Sequence, residues 1–382
     1  MKEIPYSTQW IEDEDVEAVA AVLRSPWLTQ GPAVEAFEAA LAERCGARHA
    51  VAVSSGTAAL HLACLALGLG PGKRLVTSPL SFAASANCAL YCGAAADFAD
   101  VDPATGNMTP ETLAAALRSA PADVVVPVHF SGRPADVEGI ARTAAGAAVV
   151  EDACHAVGAE VLTSSGWTRV GSCSHSAAVV FSFHPVKPLT TAEGGAVLTQ
   201  DEALARRVRA LRTHGIVREP GMHEAHGGWY YEMRDLGFNY RITDVQAALG
   251  LSQLRRLDEG LARRRRLVMQ YREELEGVAG VVLPPAEQGV RSSWHLFPVR
   301  IDHTRAGRRH VYDTLRAEGI RPQVHYIPVH LHPYYRRRFG FVPGRFPAAE
   351  AFYDEELSLP LFATMTREDV TRVATALRRA LG

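Results

Sequence analysis

Between about residues 33 and 215, the sequence alternates short apolar segments with amphipathic stretches of helical period. The apolar segments are HAVAVSS, RLVTSPLSF, DVVVPVHF and AAVVEDA. Strands that are apolar on both faces and alternate with helices are typical of a parallel sheet covered by helices on both sides. Capping residues support the helices, such as Asp201 before EALARRVRALRTHG and Gly68 after the run that begins at Thr57. The pattern therefore predicts an α/β domain.

A second pattern begins at Thr243, where TDVQAALGLSQLRRLDEGLARRRRLVMQYREELEG predicts one long helix. Its four consecutive arginines, 263–266, are predicted to cover the solvated side. The glycine-rich stretch 221–232 before it predicts a long loop. Segments from about residue 290 onward predict a small α+β domain. We therefore predict an N-terminal segment 1–32, a large domain 33–255 and a small C-terminal domain 256–382.

The composition, 47% hydrophobic and 21% charged over 382 residues, is that of a globular protein that buries a sizeable core. The formal net charge of −2 gives no overall field that would attract nucleic acid or an anionic membrane. The N-terminal stretch MKEIPYSTQWIEDED lacks the apolar part of a signal peptide, and no uncharged segment reaches the roughly 20 residues of a membrane span. A cytoplasmic protein is the resulting prediction.

Six cysteines occur singly, without a CxxC pair or a histidine at zinc-binding spacing. We predict reduced and mostly buried thiols, and we expect no structural metal. They stand at positions 45, 64, 88, 92, 154 and 173.

The segment VAVSSGTAAL predicts a strand, a tight turn and the start of a helix. The first backbone N–H groups of a helix are unpaired and lie at the positive end of its dipole. Ser55, Gly56 and Thr57 are therefore candidates to bind a phosphate. A serine or threonine in this position is also ordinary helix capping, and that alternative stays open.

Two acidic residues, Glu151 and Asp152, end the apolar segment AAVVEDA. Ligands of open α/β sheets bind at the carboxyl ends of the strands. A carboxylate at this edge is a candidate to hold a positive charge on a ligand, although it could equally cap the next segment.

Lys187 stands in FSFHPVKPLTTAEGG, between Pro185 and Pro188 and five residues after Ser182. An isolated lysine is usually a solvated surface group. The prolines make this loop rigid, however, and partial desolvation with neighbouring cations lowers the pKa of an amine, as a Schiff-base lysine requires. Lys187 is therefore a candidate nucleophile, and the EGGAVLT that follows predicts a return strand.

These three features together suit pyridoxal 5′-phosphate. This cofactor needs an amine to bind its aldehyde, a carboxylate to keep its ring nitrogen protonated, and a cradle for its phosphate. Lys187, Asp152 and the SSGT turn with Ser182 supply one each. Their order and spacing predict a pyridoxal-phosphate enzyme.

The same segments make the sequence resemble the DegT/DnrJ/EryC1/StrS family of sugar aminotransferases over nearly its whole length. This resemblance implies the α/β fold of type I pyridoxal-phosphate enzymes, the aspartate aminotransferase-like fold, with a large domain on a mixed, mostly parallel sheet and a smaller C-terminal α+β domain. The lines that carry it are IPYSTQWI, SPWLTQGP, SSGTAAL, SPLSFAASAN, EDACHAVGA, FSFHPVKPLTTAEGG, DLGFNYRITDVQAALGLSQL and VHYIPVHLHPYY.

The resemblance also implies roles for residues around the cofactor. Lys187 would form the Schiff base and move the proton, and Asp152 would pair with the pyridine nitrogen. Phe82 would lie against the ring face, with a place in the core as its alternative. His155, where many members of the family have glutamine, would lie near the ring hydroxyl.

The phosphate contacts implied by the resemblance come from two subunits. Asn239 would reach the phosphate from a neighbouring subunit, which implies a homodimer with shared sites, unless it is simply a turn residue. The residues implied to hold the phosphate within one subunit are Ser55, Gly56, Thr57 and Ser182.

Within the family, the sequence is most similar to the branch that uses glutamate to aminate C4 of a UDP-linked 4-keto-6-deoxy-N-acetylhexosamine in pseudaminic acid biosynthesis. The nucleotide sugar would then lie across the mouth of the cofactor site, although Tyr6 and His325 could equally be packing residues. The implied sugar contacts are Tyr6, Pro26, Trp27, Leu28, Thr29, His325 and Tyr326.

Other functions share some of these features. A sugar dehydratase of the same fold resembles this chain except that a histidine replaces the lysine, and Lys187 is present here. A pyridoxal-phosphate-dependent transcription regulator carries an added DNA-binding domain, for which we see no room before the first strand near residue 49. A nicotinamide-dependent oxidoreductase would need GxGxxG after a strand, which the sequence lacks. Among aminotransferases, a D-configured 4-keto sugar or a 3-keto sugar is the alternative substrate.

Overall fold

The structure, a computed structural model, describes residues 3–219, 221–302 and 307–382. Strands are numbered here in chain order. They are β1 (His49–Val53), β2 (Arg74–Thr77), β3 (Ala95–Phe98), β4 (Val124–Val126), β5 (Ala148–Asp152), β6 (Glu160–Thr163), β7 (Gly166–Arg169), β8 (Ala178–Ser182), β9 (Gly195–Thr199), β10 (Ile216–Val217), β11 (Glu232–Met233), β12 (Val281–Val282), β13 (Val290–Arg291), β14 (Phe297–Ile301) and β15 (Glu356–Leu359).

Helices connect and cover these strands and are numbered in the same way. They are α1 (Asp13–Leu23), α2 (Pro32–Cys45), α3 (Gly56–Ala66), α4 (Ala84–Tyr91), α5 (Pro110–Leu117), α6 (Val137–Thr143), α7 (Glu202–Arg212), α8 (Met222–His226), α9 (Asp244–Arg255), α10 (Leu257–Leu275), α11 (Arg308–Ala317), α12 (Pro333–Phe339), α13 (Pro347–Glu355) and α14 (Arg367–Leu381).

Seven strands form the central sheet, in the order β1-β9-β8-β5-β4-β2-β3. β9 is antiparallel to both of its neighbours, and the other six strands run in one direction. The return strand predicted from EGGAVLT is β9. The mixed, mostly parallel sheet confirms the predicted fold class.

Both faces of the central sheet are buried under helices, as the runs of apolar residues predict. On one face, side chains such as Leu60 and Leu62 of α3 pack with residues of α4 and α7. On the other, Phe37 and Leu41 of α2 pack near the start of the sheet and Leu113 of α5 packs further along. Each such side chain contributes about 1.5–3 kcal/mol when it leaves water, so these layers hold the strand ends in place.

A second, antiparallel sheet of β12, β14 and β15 lies in the C-terminal part of the chain. Its core includes Tyr271 of α10, Leu315 of α11 and Val373 of α14. Ile4 also packs there and forms a parallel bridge with Ile320, so the N-terminal segment joins this core. The domain boundaries given above stay a prediction.

The single long helix predicted from Thr243 is wrong, because the structure has two helices there. α9 ends at Arg255, α10 begins at Leu257, and Arg256 between them has φ −103° and ψ 3°.

The prediction that all four arginines of 263–266 are solvated is also wrong. Arg264 is buried, and its guanidinium donates to the carbonyls of Trp294 and Leu361, 3.2 and 2.9 Å away. Arg264 is buried because segments that come later in the chain pack against its side chain.

All six cysteines are free; five are buried and Cys154 is partly buried. Among the described residues we find no helix with both the length and the apolar character that crossing a membrane requires.

Candidate active site

The strand ends that carry the candidate catalytic and binding residues meet at one edge of the central sheet. β1, β5 and β8 run in the same direction, so the turn after β1, Asp152 and Ser182 lie at the same edge. Gly56 fits closely against this group, because a Cβ built on it would lie 2.9 Å from Ser182 Cβ and 3.1 Å from Cys154 Sγ. The structure therefore brings three separate sequence motifs together.

The turn Ser55–Thr57 opens helix α3 and leaves an anion site at its start. Ser55 caps the helix by accepting a hydrogen bond from the Ala58 amide, 3.1 Å away. The amides of Gly56 and Thr57 precede the first intrahelical bonds and lie at the positive end of the helix dipole. Ser182 stands beside them. This arrangement suits a phosphate group.

Gly195 packs directly against that turn, and sequence reasoning did not assign it a role. A Cβ at this position would lie 2.5 Å from the carbonyl carbon and oxygen of Ser55 and 2.6 Å from the Gly56 nitrogen. The glycine pair in AEGGAVLT is the available signal, although by itself it indicates only a turn before a strand.

Asp152 is buried at the end of β5, and two donors hold its carboxylate. The Ser85 hydroxyl lies 2.6 Å from Oδ2, and the Cys154 amide lies 3.2 Å from Oδ1. These bonds fix the orientation of the carboxylate at the edge of the sheet. Ser85, on helix α4, was missed by sequence reasoning although it lies in the segment SFAASAN.

Lys187 follows β8 in a tight turn, in which its amide donates to the His184 carbonyl at 2.9 Å. Burial lowers the pKa of Lys187 to about 8, although the nearby Cys154 and Asp152 act in the opposite direction. An amine with this pKa is partly neutral near physiological pH, which makes it a nucleophile.

His295 is the hydrogen-bond partner of Lys187, with Nε2 3.2 Å from Nζ. His295 is buried, and burial together with the positive charges of Lys187 and Arg264 lowers its pKa well below the usual value. A neutral imidazole accepts a hydrogen bond from the amine through Nε2 when its own proton is on Nδ1. Sequence reasoning missed His295, which lies 108 residues from Lys187 in WHLFPVRID.

His155 and Tyr326 form the next part of the site. His155 Nε2 lies 3.0 Å from the Tyr326 hydroxyl, and the His155 and His295 rings are 4.5 Å apart. Burial and the charge of Lys187 lower the pKa of His155 well below its usual value. Tyr326 is also 6.3 Å, between ring centroids, from Phe82. The side chain of Phe82 is 63% exposed, so it borders open space rather than the core.

Tyr6 and His325 complete this cluster from the N-terminal and C-terminal parts of the chain. Their rings lie 5.7 Å apart, and the His325 ring is 4.8 Å from that of Tyr326. The N-terminal segment is held against the lysine loop, because the Ser7 hydroxyl donates to the Val186 carbonyl at 3.1 Å. The predicted sugar contacts Tyr6, His325 and Tyr326 therefore surround the mouth of the site.

The remaining predicted residues belong to two other segments. The segment Pro26–Thr29 pairs with the start of α9, where the Asp244 amide donates to the Leu28 carbonyl at 3.0 Å. Trp27 and Leu28 are about half exposed, and Asn239 is exposed. Within the described parts of the chain, no hydrogen bond or ring contact connects them to Lys187.

The cluster around Lys187 fits pyridoxal 5′-phosphate on grounds of structure. It combines a neutralisable amine, a buried carboxylate, an anion site and an exposed aromatic face. In addition, Nδ1 of His155 and Nδ1 of His295 are buried and have no partner among the described residues. Buried polar atoms are normally hydrogen-bonded, so these two nitrogens indicate a polar ligand.

Comparisons with known proteins agree with this assignment. The sequence profile of the DegT/DnrJ/EryC1/StrS aminotransferase family matches residues 9–378. The spore coat polysaccharide biosynthesis protein SpsC of Bacillus subtilis is 41% identical over 98% of this chain and 96% of its own length.

Solved structures are similar over the whole chain. Helicobacter pylori PseC, an aminotransferase involved in the biosynthesis of pseudoaminic acid, is 30% identical with a TM-score of 0.89 over 100% of this chain and 99% of its own. The PLP form of Spr1654 from Streptococcus pneumoniae is 26% identical with a TM-score of 0.90 over 99% of this chain and 98% of its own. The chain therefore belongs to the DegT/DnrJ/EryC1/StrS aminotransferase family and is a pyridoxal-phosphate-dependent sugar aminotransferase.

Proposed function

We propose that this enzyme moves the amino group of L-glutamate to C4 of a nucleotide-linked 4-keto-6-deoxy sugar, with UDP-2-acetamido-2,6-dideoxy-β-L-arabino-hexos-4-ulose of pseudaminic acid biosynthesis as the substrate. The cluster of Lys187, Asp152 and His155 behind a mouth of Tyr6, His325 and Tyr326 carries the proposal. Similarity to PseC over the whole chain supports the choice of pathway.

Lys187 has two tasks in this reaction. Its neutral amine would hold the aldehyde carbon of the cofactor, and once the amino donor has released it, the same amine would take the proton from the donor's Cα. When bound, pyridoxal phosphate supplies the electron sink that makes this proton acidic. The pKa of about 8 lets Lys187 act as a base and then as an acid near neutral pH.

Other residues hold and orient the reacting groups. Asp152, fixed by Ser85, would face the ring nitrogen, and the amides at the start of α3 with Ser182 would bind the phosphate. His295 would hold the released amine of Lys187 through the contact that already exists between them. The keto sugar would then receive the amino group by the same proton transfers in reverse.

We also propose a homodimer in which each active site takes residues from both subunits. Within the described residues of one subunit, Pro26–Thr29 and Asn239 make no hydrogen bond or ring contact with Lys187, and they present exposed side chains. A mixture of two inactive variants, Lys187→Ala and Asn239→Ala, should then regain activity, since exchange of subunits forms one intact site per mixed dimer. Complete absence of recovery after subunit exchange has been verified would contradict shared sites.

The substrate is tested by incubating the purified enzyme with glutamate and a panel of UDP- and dTDP-linked 4-keto sugars. Mass spectrometry should show the aminated sugar together with 2-oxoglutarate, most rapidly with the L-arabino substrate. Lys187→Ala is the matched control, because it should neither form product nor trap cofactor covalently on borohydride reduction. Covalent trapping in that variant would show that another lysine binds the cofactor.

A different keto sugar is the second candidate. The 41% identity to a spore coat polysaccharide protein exceeds the 30% identity to PseC, which favours a sugar destined for another glycan. Faster turnover of a D-configured 4-keto sugar or of a 3-keto sugar in the same panel would select this candidate. Loss of water from the sugar without 2-oxoglutarate would instead indicate a dehydratase.

A further inference from the structure

Behind the mouth of the site, strand β15 buries two polar side chains that the proposed reaction does not use. Glu356 and Ser358 are both fully buried, and because they are two residues apart on one strand, they lie on the same face. A buried carboxyl group is costly unless it has hydrogen-bond partners. Glu356 has two such partners. The backbone amide of His325 lies 2.7 Å from Oε2, and the Ser358 hydroxyl lies 2.5 Å from Oε1.

His325 is the third member of this group. Gln323 and Ser358 exchange backbone hydrogen bonds of 3.1 and 2.8 Å, which aligns the segment before His325 with β15. His325 Nδ1 then lies 2.9 Å from Ser358 Oγ. Nε2 has no partner among the described residues, and the ring packs against those of Tyr6 and Tyr326 at the mouth. Nε2 is therefore the atom that His325 offers to a ligand.

Ser358 has one hydroxyl proton and two neighbours that compete for it. When Glu356 is ionised, Ser358 donates to Oε1, and His325 donates from Nδ1 to Ser358 Oγ, which leaves Nε2 as an acceptor. When Glu356 is protonated, its O–H donates to Ser358, Ser358 donates to Nδ1, and the His325 proton is on Nε2. The two states differ by one proton, which Glu356 gains or loses.

We propose that Glu356 and Ser358 form a proton relay that fixes the tautomer of His325 and so decides whether Nε2 donates to the sugar substrate or accepts from it. Only the identity of the ligand as a nucleotide sugar rests on the proposed function. A donor at Nε2 suits carbonyl, ring and phosphate oxygens, which only accept. An acceptor at Nε2 suits a hydroxyl or an amide N–H.

The charges around the relay determine which state prevails. Burial raises the pKa of Glu356 to about 8, although Ser358, the His325 amide and the positive charge of Arg308 act in the opposite direction. Burial and the charge of Lys187 lower the pKa of His325 to about 3, so its ring stays neutral and only the tautomer changes. Tyr6 and Tyr326 also face this group. The donor form therefore prevails at neutral pH and is lost as pH rises through about 8.

The tautomer is measured directly in the substrate-free holoenzyme labelled with ¹⁵N-histidine, by NMR between pH 6 and 10, with His325→Gln to assign the signal. In the wild type, the proton should move from Nε2 to Nδ1 with a midpoint near pH 8. Glu356→Gln should keep the proton on Nε2 at every pH. Its amide oxygen must accept from the His325 backbone, so its NH₂ group donates to Ser358 as the protonated acid does.

Three further variants control the measurement. Ser358→Ala should remove the pH dependence of the tautomer, and Ser358→Thr, which keeps the hydroxyl, should restore it even if the alanine variant folds poorly. Glu355→Gln removes a neighbouring carboxylate that pairs with Arg300 at 3.2 Å, outside the relay. That variant should titrate like the wild type.

Kinetics then test the contact with the sugar. The KM for the keto sugar should change by about three- to tenfold across pH 8 in the wild type, the value of one hydrogen bond, and should stay constant in Glu356→Gln. A single His325 tautomer from pH 6 to 10, or normal titration in Glu356→Gln, would overturn the relay. A tautomer change without a change in KM would overturn the sugar contact. If no keto sugar is a substrate while the tautomer still switches, the relay stands and the proposed function fails.

Discussion

Burial of a single amine, that of Lys187, has an energetic cost that depends on pH. Its pKa falls from the ordinary value of 10.5 to about 8 on folding. Below pH 8 the unfolded chain and the folded chain both carry the charge, and the folded state carries the full cost of burying it. As pH rises from 8 to 10.5 the folded state has already lost the proton, and this cost disappears.

We therefore expect Lys187→Met to raise the free energy of unfolding of the apoenzyme at pH 7. The gain over wild type should shrink as pH rises from 8 to 10.5, because the buried charge is then absent from the wild type as well. Urea denaturation of both apoenzymes across this range measures the difference. Lys73→Met, at an exposed lysine whose ammonium group donates to the Gly68 carbonyl, is the control and should show no such trend. A constant gain from pH 7 to 10.5 would contradict the prediction.

Ser85→Ala should lower kcat/KM by roughly tenfold, because the Asp152 carboxylate loses its 2.6 Å donor and with it a fixed orientation. Steady-state kinetics at saturating cofactor measure the effect. Ser81→Ala is the matched control, since the Ser81 hydroxyl donates to the carbonyls of Ser78 and Phe82 and to no carboxylate among the described residues. Equal losses in both variants would show that Ser85 is only structural.

The sequence allows a functional residue to be predicted when the pattern that indicates it lies within a few positions along the chain. Lys187 lies between two prolines, and Asp152 ends an apolar segment, so each has a signal within a few positions. Ser85 and His295 have none, because their partners lie 67 and 108 residues away and are brought near only by the order of strands in the sheet. The roles of all these residues stay predictions until variants are measured.

At the scale of elements, the contact between strand β9 and the start of helix α3 determines the shape of the phosphate site. Gly195→Ala should weaken cofactor binding, since its Cβ would lie 2.5 Å from the Ser55 carbonyl and push the turn away. The dissociation constant for pyridoxal phosphate, measured by absorbance titration, should rise at least tenfold.

Gly70→Ala is the control for this substitution. The nearest atom to its added Cβ is the Cys92 carbonyl oxygen at 3.8 Å, an ordinary contact. Unchanged cofactor binding in Gly195→Ala would mean that the turn can move without weakening phosphate binding. The anion site would then not depend on this close packing.

The sequence predicts the type of most elements better than their ends. Continuous apolar runs correctly indicate buried parallel strands, because both faces of the sheet need cover. The break at Arg256 is not predictable in this way, because the helical periodicity continues from α9 into α10. The amphipathic pattern does not change at a single residue whose ψ is near 0°.

At the scale of the whole molecule, Arg264 connects parts of the chain that are far apart in sequence. Its guanidinium donates to the carbonyls of Trp294, His295 and Leu361, at 3.2, 3.4 and 2.9 Å. Arg264→Leu leaves three buried acceptors without this donor, so we expect the free energy of unfolding to fall by about 3 kcal/mol or more. Arg266→Leu, at an exposed position on the same helix, should change it little. Comparable losses in both, by urea denaturation, would contradict a specific role for Arg264.

Assembly of the proposed homodimer involves residues that the sequence pattern does not mark. The segment Pro26–Thr29 and Asn239 have no local feature that reveals a role across a subunit boundary. Within the described residues they do not contact Lys187, and the mixing experiment with inactive variants tests whether they act across the subunit boundary.

The position of the N-terminal segment has a consequence for biosynthesis. The Ile4 amide binds the Gly319 carbonyl at 2.9 Å, and the Tyr6 carbonyl accepts from the Leu361 amide at 3.0 Å. At the usual ribosomal rate of roughly 5–20 residues per second, these partners emerge tens of seconds after the segment itself. The segment around Tyr6 is therefore made well before its partners, and a nascent chain has no finished active-site mouth until Leu361 has left the ribosome.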